Sequence, residues 1–419
     1  MKKGNCFYKK IVYKKIMAVV CSIAMVVAVY GCSTDTDSQN EQTEVPTTEG
    51  ITTTEELTTT EMSTTTEVPT TTEAPTTTEA PTTTEAPTTT EVPTTTKAPT
   101  TTEQPTTAAQ TQQSQSGTPY AVHGKLSVSG TKLVDKNGNQ YSLKGVSTHG
   151  ISWFPEYVSY DTFKELRDVW GANVVRIAMY TAEYNGYCSG GNKEELKALV
   201  KKGVDAATEL GLYVIVDWHI LSDTNPWQNK DEAVKFFSEI SAQYKNQDNV
   251  IYEICNEPNS GTSWADIKSY AMEVIPVIRA NDSDAIIIVG TPTWSQDVDT
   301  ASYDKITGYD NIMYTLHFYA ATHKQWLRDK AQTAINNGCA LFVSEFSICD
   351  ASGNGALDIY EANEWLEFLN NNGISFVGWN LANKDETSSL FLSSCNKTCN
   401  FTDADLSEWA KWLKTAIKK

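Results

Sequence analysis

A repeated alternation of short apolar runs with amphipathic stretches constrains the fold more than any other feature of this sequence. Runs of four to six residues rich in valine, isoleucine and phenylalanine predict buried strands. Strands that alternate with helices form right-handed βαβ units and a parallel sheet, and eight such units predict an α/β fold, the closed (β/α)8 TIM barrel. The predicted strands are Ser142–Ser147, Val174–Met179, Tyr213–Asp217, Val250–Cys255, Ile286–Gly290, Ile312–His317, Leu341–Glu345 and Phe376–Trp379.

Amphipathic stretches of helical period separate these strands. The fifth unit is the least regular, because residues 295–309 show little helical period. The predicted helices are Thr162–Trp170, Glu194–Leu210, Glu232–Tyr244, Ile267–Ala280, Gln325–Asn336, Tyr360–Asn371 and Asp405–Ile417.

Two turn signals precede the first barrel strand, at Ser129-Gly130 and at Asn137-Gly138-Asn139. They predict two small hairpins. We expect these hairpins to close the N-terminal mouth of the barrel as a plug, away from the chemistry.

The first 32 residues have the composition of an export signal, with six lysines and no acidic residue. The apolar run Ile16–Tyr30 is fifteen residues long. A membrane-spanning helix needs about 20 apolar residues, so a signal peptide is the better interpretation. The ending Gly31-Cys32 resembles a bacterial lipoprotein signal with Cys32 as the lipidated residue. Ordinary cleavage near the same point and an uncleaved anchor are the alternatives.

Residues 33–119 form a low-complexity segment in which TTTEAP recurs. With fourteen acidic residues, one lysine and few large apolar side chains, the segment has no core to offset the entropy of ordering it. We predict a disordered, extended linker that, at about 3.1 Å per residue, reaches on the order of 260 Å. The sequence thus divides into a signal peptide (1–32), a linker (33–119) and a barrel domain (120–419). This organisation predicts an extracellular protein, as a cell-surface lipoprotein or otherwise secreted; the stalk of an adhesin is the alternative.

Polar and aromatic side chains stand where the predicted strands end. In a (β/α)8 barrel, functional groups lie at the C-terminal ends of the strands and in the loops that follow. Strands that only built a soluble barrel would end in small or turn-forming residues. We therefore predict an active site at this face, with contributions from His149, Arg176, His219, Asn256-Glu257, His317, Tyr319, Glu345 and Trp379.

Glu257 and Glu345 each follow a β-rich apolar run directly, which places both carboxylates at the rim of the barrel mouth. Hydrolysis of a glycosidic bond needs a proton for the leaving oxygen and a carboxylate that faces the anomeric carbon. Arg176, inside an apolar run, is expected to project into the mouth and to keep one carboxylate ionised. The acid/base partner needs a pKa raised by burial and by a negative neighbour. The alternative for Arg176 is a buried ion pair that only braces the barrel.

The segments IYEICNEPN around Glu257 and FVSEF around Glu345 resemble glycoside hydrolase family five, in its bacterial endoglucanase (cellulase) branch. The likeness runs from about Tyr120 to the end of the chain, and KGVSTHGISWF, VIVDWHIL and TLHFYAATH keep the same order, one per strand. The resemblance implies an endo-acting, retaining β-1,4-glucanase. It makes Glu345 the nucleophile and Glu257 the acid/base.

The resemblance also implies roles for further residues. Asn256 matches the residue that hydrogen-bonds the sugar 2-hydroxyl, Arg176 and Tyr319 match groups that hold the nucleophile, and His219 and His317 match groups that line the cleavage subsite. The implied hydrogen-bonding residues on the glycone side are His149, Tyr180, Lys384 and Glu386. The implied aromatic platforms for sugar rings are Trp153, Trp294 and Trp379.

Two alternative functions stay open. One is a related retaining β-glycanase that acts on mixed-linkage glucan, xyloglucan or mannan. The other is a non-catalytic surface protein that binds polysaccharide, which would need the aromatic residues but not Glu257, Glu345 and Arg176.

The net charge of −19 argues against a nucleic-acid partner. The histidines lack zinc-type spacing, so no metal or other cofactor is expected. We expect a monomer that binds β-glucan and contacts the membrane only through its lipid anchor.

Several remaining residues have structural interpretations. Glu253, in mid-strand, is predicted to pair with a basic group, and Cys255 to be a small buried thiol. Cys395 and Cys399 form the most plausible disulfide of six cysteines beyond the leader. Tryptophans in helical stretches are predicted to be core or helix-face residues, whereas Trp227 and Trp264 stay open; the helical ones are Trp170, Trp365, Trp409 and Trp412.

Overall fold

A computed structural model describes residues 117–419 of this chain. The predicted leader, Cys32 and most of the linker lie outside the described residues. No helix within 117–419 combines the length and the hydropathy that a membrane span needs.

Eight parallel strands form a closed barrel, as the alternation predicts. Each strand lies beside the next one in the sequence, and the last strand pairs with the first to close the ring. A separate two-stranded antiparallel hairpin, β1 (Ser127–Ser129) and β2 (Lys132–Val134), precedes the barrel. The barrel strands are β3 (Lys144–Thr148), β4 (Val174–Tyr180), β5 (Tyr213–His219), β6 (Val250–Glu253), β7 (Ile287–Val289), β8 (Ile312–Tyr319), β9 (Leu341–Ser347) and β10 (Ser375–Leu381).

Seven of the nine helices given below for residues 117–419 lie where the amphipathic period predicts them, and polar side chains fix several of their ends. Asn192 and Ser407 accept hydrogen bonds from first-turn N–H groups, and Ser263 with Asp266 forms a reciprocal capping box. The helices are α1 (Pro119–His123), α2 (Tyr160–Glu165, continued by a π-turn at Leu166–Trp170), α3 (Lys193–Glu209), α4 (Lys230–Tyr244), α5 (Trp264–Arg279), α6 (Val298–Tyr303), α7 (Gln325–Asn336), α8 (Ile359–Asn372) and α9 (Glu408–Ile417).

The irregular fifth unit contains only the six-residue α6 after β7. A short turn, Pro292–Ser295, comes before it, and Thr293, Trp294 and Ser295 have φ angles of 57°, 54° and 57°. Because the helix that follows is only six residues long, residues 295–309 show little helical period.

The hairpin closes the N-terminal end of the barrel. Leu126, Leu133 and Leu143 are buried against the lower interior layer, which includes Tyr213 and Ile251 at the starts of their strands. An isolated bridge between Val134 and Gln140 takes the place of a full second hairpin. The predicted plug is therefore confirmed, with one hairpin rather than two.

Alternate strand residues point to opposite sides of the barrel wall. On β5, Val214, Val216 and Trp218 pack outward with the helices. Tyr213 and Ile215 belong to the interior layer, and the next inward positions are Asp217 and His219. The interior thus changes from apolar at the plug to polar at the C-terminal mouth.

A β-bulge in β9 breaks this alternation at the C-terminal mouth. Thr315 of β8 pairs with Phe342, but His317 pairs with Glu345, so β9 has one extra residue between these pairs. Phe346 packs outward again in the core between strands and helices. The bulge therefore lets two consecutive residues, Ser344 and Glu345, both reach the interior.

Core tryptophans occupy the layer between strands and helices. The prediction is confirmed for Trp170, Trp365 and Trp409, which are fully buried. Trp412 packs half-buried against the same layer, and Trp264 is also buried.

Candidate active site

A cleft of about 550 Å³ opens at the C-terminal mouth of the barrel. Of the predicted site residues in the barrel, only Arg176, Asn256 and Trp153 do not line it. Arg176 and Asn256 lie buried beneath its floor, and Trp153 packs at its edge. The predicted residues that line the cleft are His149, Tyr180, His219, Glu257, Trp294, His317, Tyr319, Glu345, Trp379, Lys384 and Glu386.

Glu257 and Glu345 face each other across the floor of this cleft. A carboxylate oxygen of each lies within 4.8 Å of the other and of a ring nitrogen of His317. Retaining glycosidases place the two carboxyl groups about 5–5.5 Å apart, whereas inverting enzymes need about 6.5–9.5 Å to admit a water. The spacing fits a direct attack by one carboxylate.

Arg176 is fully buried beneath the two glutamates. Its Nε and Nη2 donate to the two oxygens of Glu253 at 2.7 and 3.2 Å, and Nη2 also donates to Asn256 Oδ1 at 2.7 Å. Asp217 Oδ2 lies 3.0 Å from Nη2, and Glu345 Oε2 lies 3.4 Å from Nη1. The predicted pairing of Glu253 with a basic group is confirmed, and the guanidinium both braces the barrel and reaches Glu345.

One positive charge therefore faces three buried carboxylates. Burial lowers the pKa of Arg176, but Asp217, Glu253 and Glu345 raise it above its usual value. Burial also raises the pKa of Asp217 to about 7, although the charge of Arg176 opposes this rise. A single guanidinium does not compensate the desolvation of all three acids.

Asp217 orients His219. Burial and then the charge of Arg176 lower the pKa of His219 to about 4, so the imidazole is neutral near pH 7. Its Nδ1–H donates to Asp217 Oδ2 at 2.7 Å, and its Nε2 accepts from Asn256 Nδ2 at 3.2 Å. The second Nδ2 hydrogen of Asn256 bonds to Ile220 O at 3.1 Å. Asn256 is thus held in one orientation, in which Nδ2 donates to His219 and Ile220 while Oδ1 accepts from Arg176.

The protonation of Glu257 follows from a chain of hydrogen bonds. Glu253 is paired with Arg176, so Ser344 Oγ donates its only hydrogen to Glu253 Oε1 at 2.6 Å. Ser344 Oγ must then accept from His317 Nε2 at 2.9 Å. Burial and Arg176 lower the pKa of His317 well below its usual value, so Nδ1 of this neutral ring is an acceptor. Glu257 Oε1, at 2.9 Å from Nδ1, is therefore the donor and carries a proton.

The electrostatics of the two glutamates agree with this assignment. Burial, and then the charge of Glu345, raise the pKa of Glu257 well above its ordinary value. Burial raises the pKa of Glu345 as well, but His219, Arg176 and a hydrogen bond from Tyr319 oppose that rise. The Tyr319 hydroxyl donates to Glu345 Oε1 at 2.8 Å. Glu345 thus receives donors on both oxygens, whereas Glu257 faces an acceptor.

Glu257, His317 and Glu345 are also the residues of the described chain whose geometry could hold a metal ion. Both ring nitrogens of His317 are already used, by Glu257 and by Ser344. An ion at this cluster would have to displace the hydrogen bond that orients Glu257. The donor set therefore fits proton transfer better than metal binding.

One end of the cleft is an aromatic and charged group on the loops after β3, β4 and β10. His149 is stacked on Trp153 at 5.4 Å and contacts Trp379 at 5.2 Å between ring centroids. Lys384 forms an ion pair with Glu386, whose Oε1 lies 3.9 Å from His149 Nε2. The structure thus brings the residues predicted for the glycone side, His149, Tyr180, Lys384 and Glu386, together with two of the predicted platforms, Trp153 and Trp379.

The opposite end of the cleft lies on the loops after β7 and β8. Trp294 is 43 % exposed there, and Gln296 and His323 line the cleft beside it. The left-handed turn is anchored to the loop that carries Glu257, because Trp294 N donates to Pro258 O at 2.9 Å and Ser295 Oγ donates to Asn256 O at 2.7 Å.

Comparison with known proteins agrees with this geometry. A family model described as cellulase (glycosyl hydrolase family 5) matches residues 134–385. The chain belongs to the family 5 cellulases. Endoglucanase A of Butyrivibrio fibrisolvens is 50 % identical over 300 residues, which cover 71 % of this chain and 69 % of the relative. Endoglucanase N of Pectobacterium atrosepticum is 46 % identical over 304 residues, covering 72 % and 67 %.

Solved cellulase structures share the barrel. The cellulase Cel5C_n has a TM-score of 0.69 at 44 % identity and covers 72 % of this chain and 94 % of its own. The catalytic domain of Thermobifida fusca endoglucanase Cel5A, in complex with cellotetraose, has a TM-score of 0.69 at 36 % identity and covers 72 % of this chain and all of its own. The protein is thus a glycoside hydrolase of the cellulase family, and its substrate is a β-glucan.

This cellulase also contains site residues that the sequence reasoning did not single out. Ser344 immediately precedes Glu345, and Asp217 was recognised only as a strand end. His323 is the fifth histidine, four residues beyond Tyr319, and this spacing could have drawn attention to it. The remaining lining residues were not singled out either, although Leu221 is the last residue of the segment VIVDWHIL; they are Leu221, Gln296, Ala351, Ser352, Gly353 and Ser388.

All six described cysteines of this cellulase are free thiols, so the predicted Cys395–Cys399 pair is wrong for this structure. Cys395 Sγ faces Lys397 O at 4.0 Å, whereas Cys399 Sγ faces Asn400 Nδ2 at 3.3 Å. The two thiols thus have different partners. The prediction that Cys255 is a buried thiol is confirmed.

Proposed function

We propose that this barrel is an endo-acting β-1,4-glucanase that retains anomeric configuration, with Glu345 as nucleophile and Glu257 as acid/base. One observation carries the proposal. Carboxylate oxygens of the two glutamates lie within 4.8 Å of each other, and Glu345 faces hydrogen-bond donors while Glu257 faces an acceptor.

In the first step, Glu345 attacks the anomeric carbon as the bond to the leaving oxygen breaks. Glu257 gives its proton to that oxygen, so the leaving chain departs as a neutral alcohol. Tyr319 and Arg176 hold the attacking carboxylate in place through the bonds at 2.8 and 3.4 Å. The products are a glycosyl-enzyme ester on Glu345 and an ionised Glu257.

In the second step, ionised Glu257 takes a proton from a water molecule while the water oxygen bonds to the anomeric carbon. The bond from that carbon to Glu345 breaks, and Glu345 leaves as a carboxylate. After the first step Glu345 is esterified and carries no charge. It therefore no longer raises the pKa of Glu257, which stays ionised. The same residue can therefore act as acid and then as base. Two inversions at one carbon give net retention.

The choice of β-1,4-glucan rests on the cleft and on the relatives. An equatorially substituted glucosyl ring presents its C–H bonds as two apolar faces, and Trp379 and Trp294 offer aromatic surfaces at the two ends of the cleft. The relatives are named endoglucanases, and one related structure holds cellotetraose.

Hydrolysis of cello-oligosaccharides followed by proton NMR tests the mechanism. We expect the β-anomer to appear first and the α-anomer only through mutarotation. Glu345→Ala should lower kcat by at least about 10⁴-fold, because the covalent route needs a carboxylate at this position. First appearance of the α-anomer, or a wild-type rate in Glu345→Ala, would contradict the proposal.

The acid/base assignment has its own test. Glu257→Ala should lose most activity on glucan, and added azide should restore turnover of an aryl cellobioside with a good leaving group, forming a β-glycosyl azide. Glu408→Gln is the control, because Glu408 lies exposed in the first turn of α9 and pairs with Lys411 at 2.7 Å. Comparison of rates on cellulose, mixed-linkage glucan, xyloglucan and mannan then fixes the preferred polymer.

For the cellular location, we infer a cell-surface lipoprotein. The support is the basic leader, the short apolar run and Gly31-Cys32, followed by a long Thr/Pro/Glu-rich segment. Radiolabelled palmitate should be incorporated into the wild type, and Cys32→Ser should abolish the label and release the enzyme to the medium. A labelled Cys32→Ser variant would exclude lipidation at this residue.

A further inference from the structure

The indole N–H groups divide the eleven tryptophans of the chain into three sets. Trp170 and Trp218 are fully buried, and their N–H groups lack a partner. Trp294, Trp326 and Trp379 also have no hydrogen-bond acceptor for Nε1 among residues 117–419. The other six donate to a protein oxygen; they are Trp153, Trp227, Trp264, Trp365, Trp409 and Trp412.

Trp294 and Trp379 line the cleft. Trp326 shares their free N–H and is 45 % exposed, but neither the motifs nor the mechanism gives it a role. An exposed tryptophan with an unused N–H has both a flat apolar face and a polar group to offer a ligand. A sugar ring with its hydroxyls matches both.

Trp326 lies on the catalytic face of the barrel. It is the second residue of α7, whose N-terminus follows β8 after a five-residue loop. His323, in that loop, lines the cleft, and its ring meets that of Trp326 edge-on at 5.7 Å and 76°. Trp326 is therefore next to the cleft on the side of Trp294, opposite the glycone-side group.

The ring of Trp326 is held in place by its neighbours. Lys330 Nζ lies 5.6 Å from the ring centroid and 2.5 Å from Asp297 Oδ1. The other oxygen of Asp297 accepts from Thr293 Oγ1 at 2.6 Å, one residue before Trp294. Asp297 thus joins the segment that carries Trp294 to the helix that carries Trp326. A preordered ring loses little entropy when it binds a ligand.

We propose that Trp326 is a further acceptor-side platform, which receives a glucosyl ring of the β-glucan chain beyond the ring that meets Trp294. The proposal rests on the proposed function, since it needs a chain that continues past the scissile bond. The cleft then runs from the glycone-side group, across Glu257 and Glu345, to the loops after β7 and β8. Such an extension favours long chains cut at internal bonds.

The test compares long and short substrates with the full-length protein. For Trp326→Ala, we expect kcat/KM on cellohexaose and on soluble mixed-linkage glucan to fall about two- to tenfold, as stacking of about 0.5–1.5 kcal/mol requires. An aryl cellobioside places only its aryl group on the acceptor side, so its kcat/KM should not change. Trp326→Phe should keep part of the effect on long chains.

Trp227→Ala is a matched control. Trp227 is 39 % exposed and has a lysine 5.7 Å from its ring centroid, but its N–H donates to Asp266 O at 2.9 Å. We expect this variant to keep wild-type kcat/KM on both substrate lengths. If Trp326→Ala lowers the thermal midpoint, Trp326→Gln, which keeps a long helix-forming side chain without a ring, is used instead.

Two outcomes would overturn the proposal: an unchanged kcat/KM on long chains, or an equal loss on long and short substrates in Trp326→Ala. A third outcome would do the same: a loss of kcat/KM on long chains in Trp227→Ala as large as that in Trp326→Ala. Exposed tryptophans would then act through general adsorption of the polymer. Failure of the proposed function is distinguishable, since the wild type itself would then hydrolyse neither substrate.

Discussion

At the scale of single residues, the Ser344 hydroxyl decides which nitrogen of His317 carries the proton. It donates to Glu253 and accepts from His317 Nε2, and this leaves Nδ1 to accept from Glu257. The acid form of Glu257 is therefore favoured by an acceptor as well as by burial. Three residues from three strands, Glu253, His317 and Ser344, thus set the protonation state of Glu257.

Removal of this hydroxyl should lower the pKa of Glu257. In Ser344→Ala, His317 is free to carry its proton on Nδ1 and to donate to an ionised Glu257 carboxylate. We expect the alkaline limb of the pH profile of kcat/KM to move to lower pH by about one unit, which is about 1.4 kcal/mol. Ser344→Thr keeps the hydroxyl and should keep the wild-type profile. An unshifted alkaline limb in Ser344→Ala would show that Ser344 does not act through His317.

Asp217 makes the free energy of unfolding fall as pH rises, which is the opposite of the dependence that an acid with a lowered pKa gives. Burial raises its pKa to about 7 in the folded protein, whereas an unfolded aspartate titrates near about 3.9. Between about pH 4 and pH 7 the folded state holds a proton that the unfolded state has lost. The contribution of Asp217 to the free energy of unfolding therefore falls as pH rises through this window.

Asp217→Asn should remove this contribution. Asp217 Oδ1 is buried and has no partner among the described residues, so an amide NH2 fits there while Oδ2 is replaced by the amide oxygen. In urea unfolding from pH 4 to pH 7, the free energy of unfolding of the variant should rise relative to that of the wild type by up to about 1.4 kcal/mol per pH unit. His219, which is hydrogen-bonded to Asp217, has a pKa lowered to about 4 and contributes the opposite slope, so its titration is followed by NMR in both proteins. A constant difference across the window would mean that Asp217 stays ionised.

At the scale of elements, irregular backbone places the functional side chains. The bulge in β9 lets Ser344 and Glu345 both face the interior, where a regular strand would send one of them outward. The left-handed turn at Pro292–Ser295 directs Trp294 into the cleft, and Thr293, a β-branched residue, has a φ of 57° there. Such a conformation persists only where surrounding bonds hold it.

Ser295 supplies one of those bonds. Its Oγ donates to Asn256 O at 2.7 Å and accepts from Thr291 N at 3.2 Å. In Ser295→Ala we expect a KM for soluble glucan raised about three- to tenfold with a smaller change in kcat, because loss of a buried bond of about 1 kcal/mol loosens the Trp294 platform rather than the glutamates. Steady-state kinetics measure this. Ser269→Ala is the control, because it loses only an exposed bond to Ala265 O, and it should leave both KM and kcat unchanged. A fall in kcat alone for Ser295→Ala would contradict the expectation that Ser295 acts by holding Trp294.

At the scale of the whole molecule, the apolar plug and the catalytic cleft lie at opposite ends of the barrel. The hairpin of β1 and β2 buries Leu126 and Leu133 against the lower interior, and Glu257 and Glu345 lie at the other mouth. The polar network around Arg176 separates the two ends. Packing changes at the plug should therefore alter the unfolding free energy without touching the site.

Leu133→Ala tests this separation. Leu133 is 1 % exposed, so its truncation should cost about 2–5 kcal/mol in the free energy of unfolding by urea. At a temperature where the variant stays folded, kcat/KM should equal the wild-type value. Leu392→Ala, at a site 43 % exposed, should change neither quantity. A parallel loss of activity in folded Leu133→Ala would mean that the plug and the site are coupled.

The sequence by itself determined the eight strands, seven of the nine helices α1–α9 in residues 117–419, the presence of a plug, and the placement of Glu257 and Glu345 at the C-terminal mouth of the barrel. These features follow from local patterns, because a period of two or of 3.6 residues reports which face of an element is buried. Even the boundaries are close: β4 was predicted as Val174–Met179 and is Val174–Tyr180. The last helix begins at Glu408 rather than at residue 405, since Ser407 caps it.

Only the tertiary structure decided where the protons lie and which residues share the charge of Arg176. The bonds that settle this join residues far apart in the chain: Glu257 to His317 across 60 positions, and Ser344 to Glu253 across 91. The β9 bulge is likewise set by the pairing of β9 with the neighbouring strand β8. A local pattern carries no information on such contacts, because they exist only once the barrel has closed.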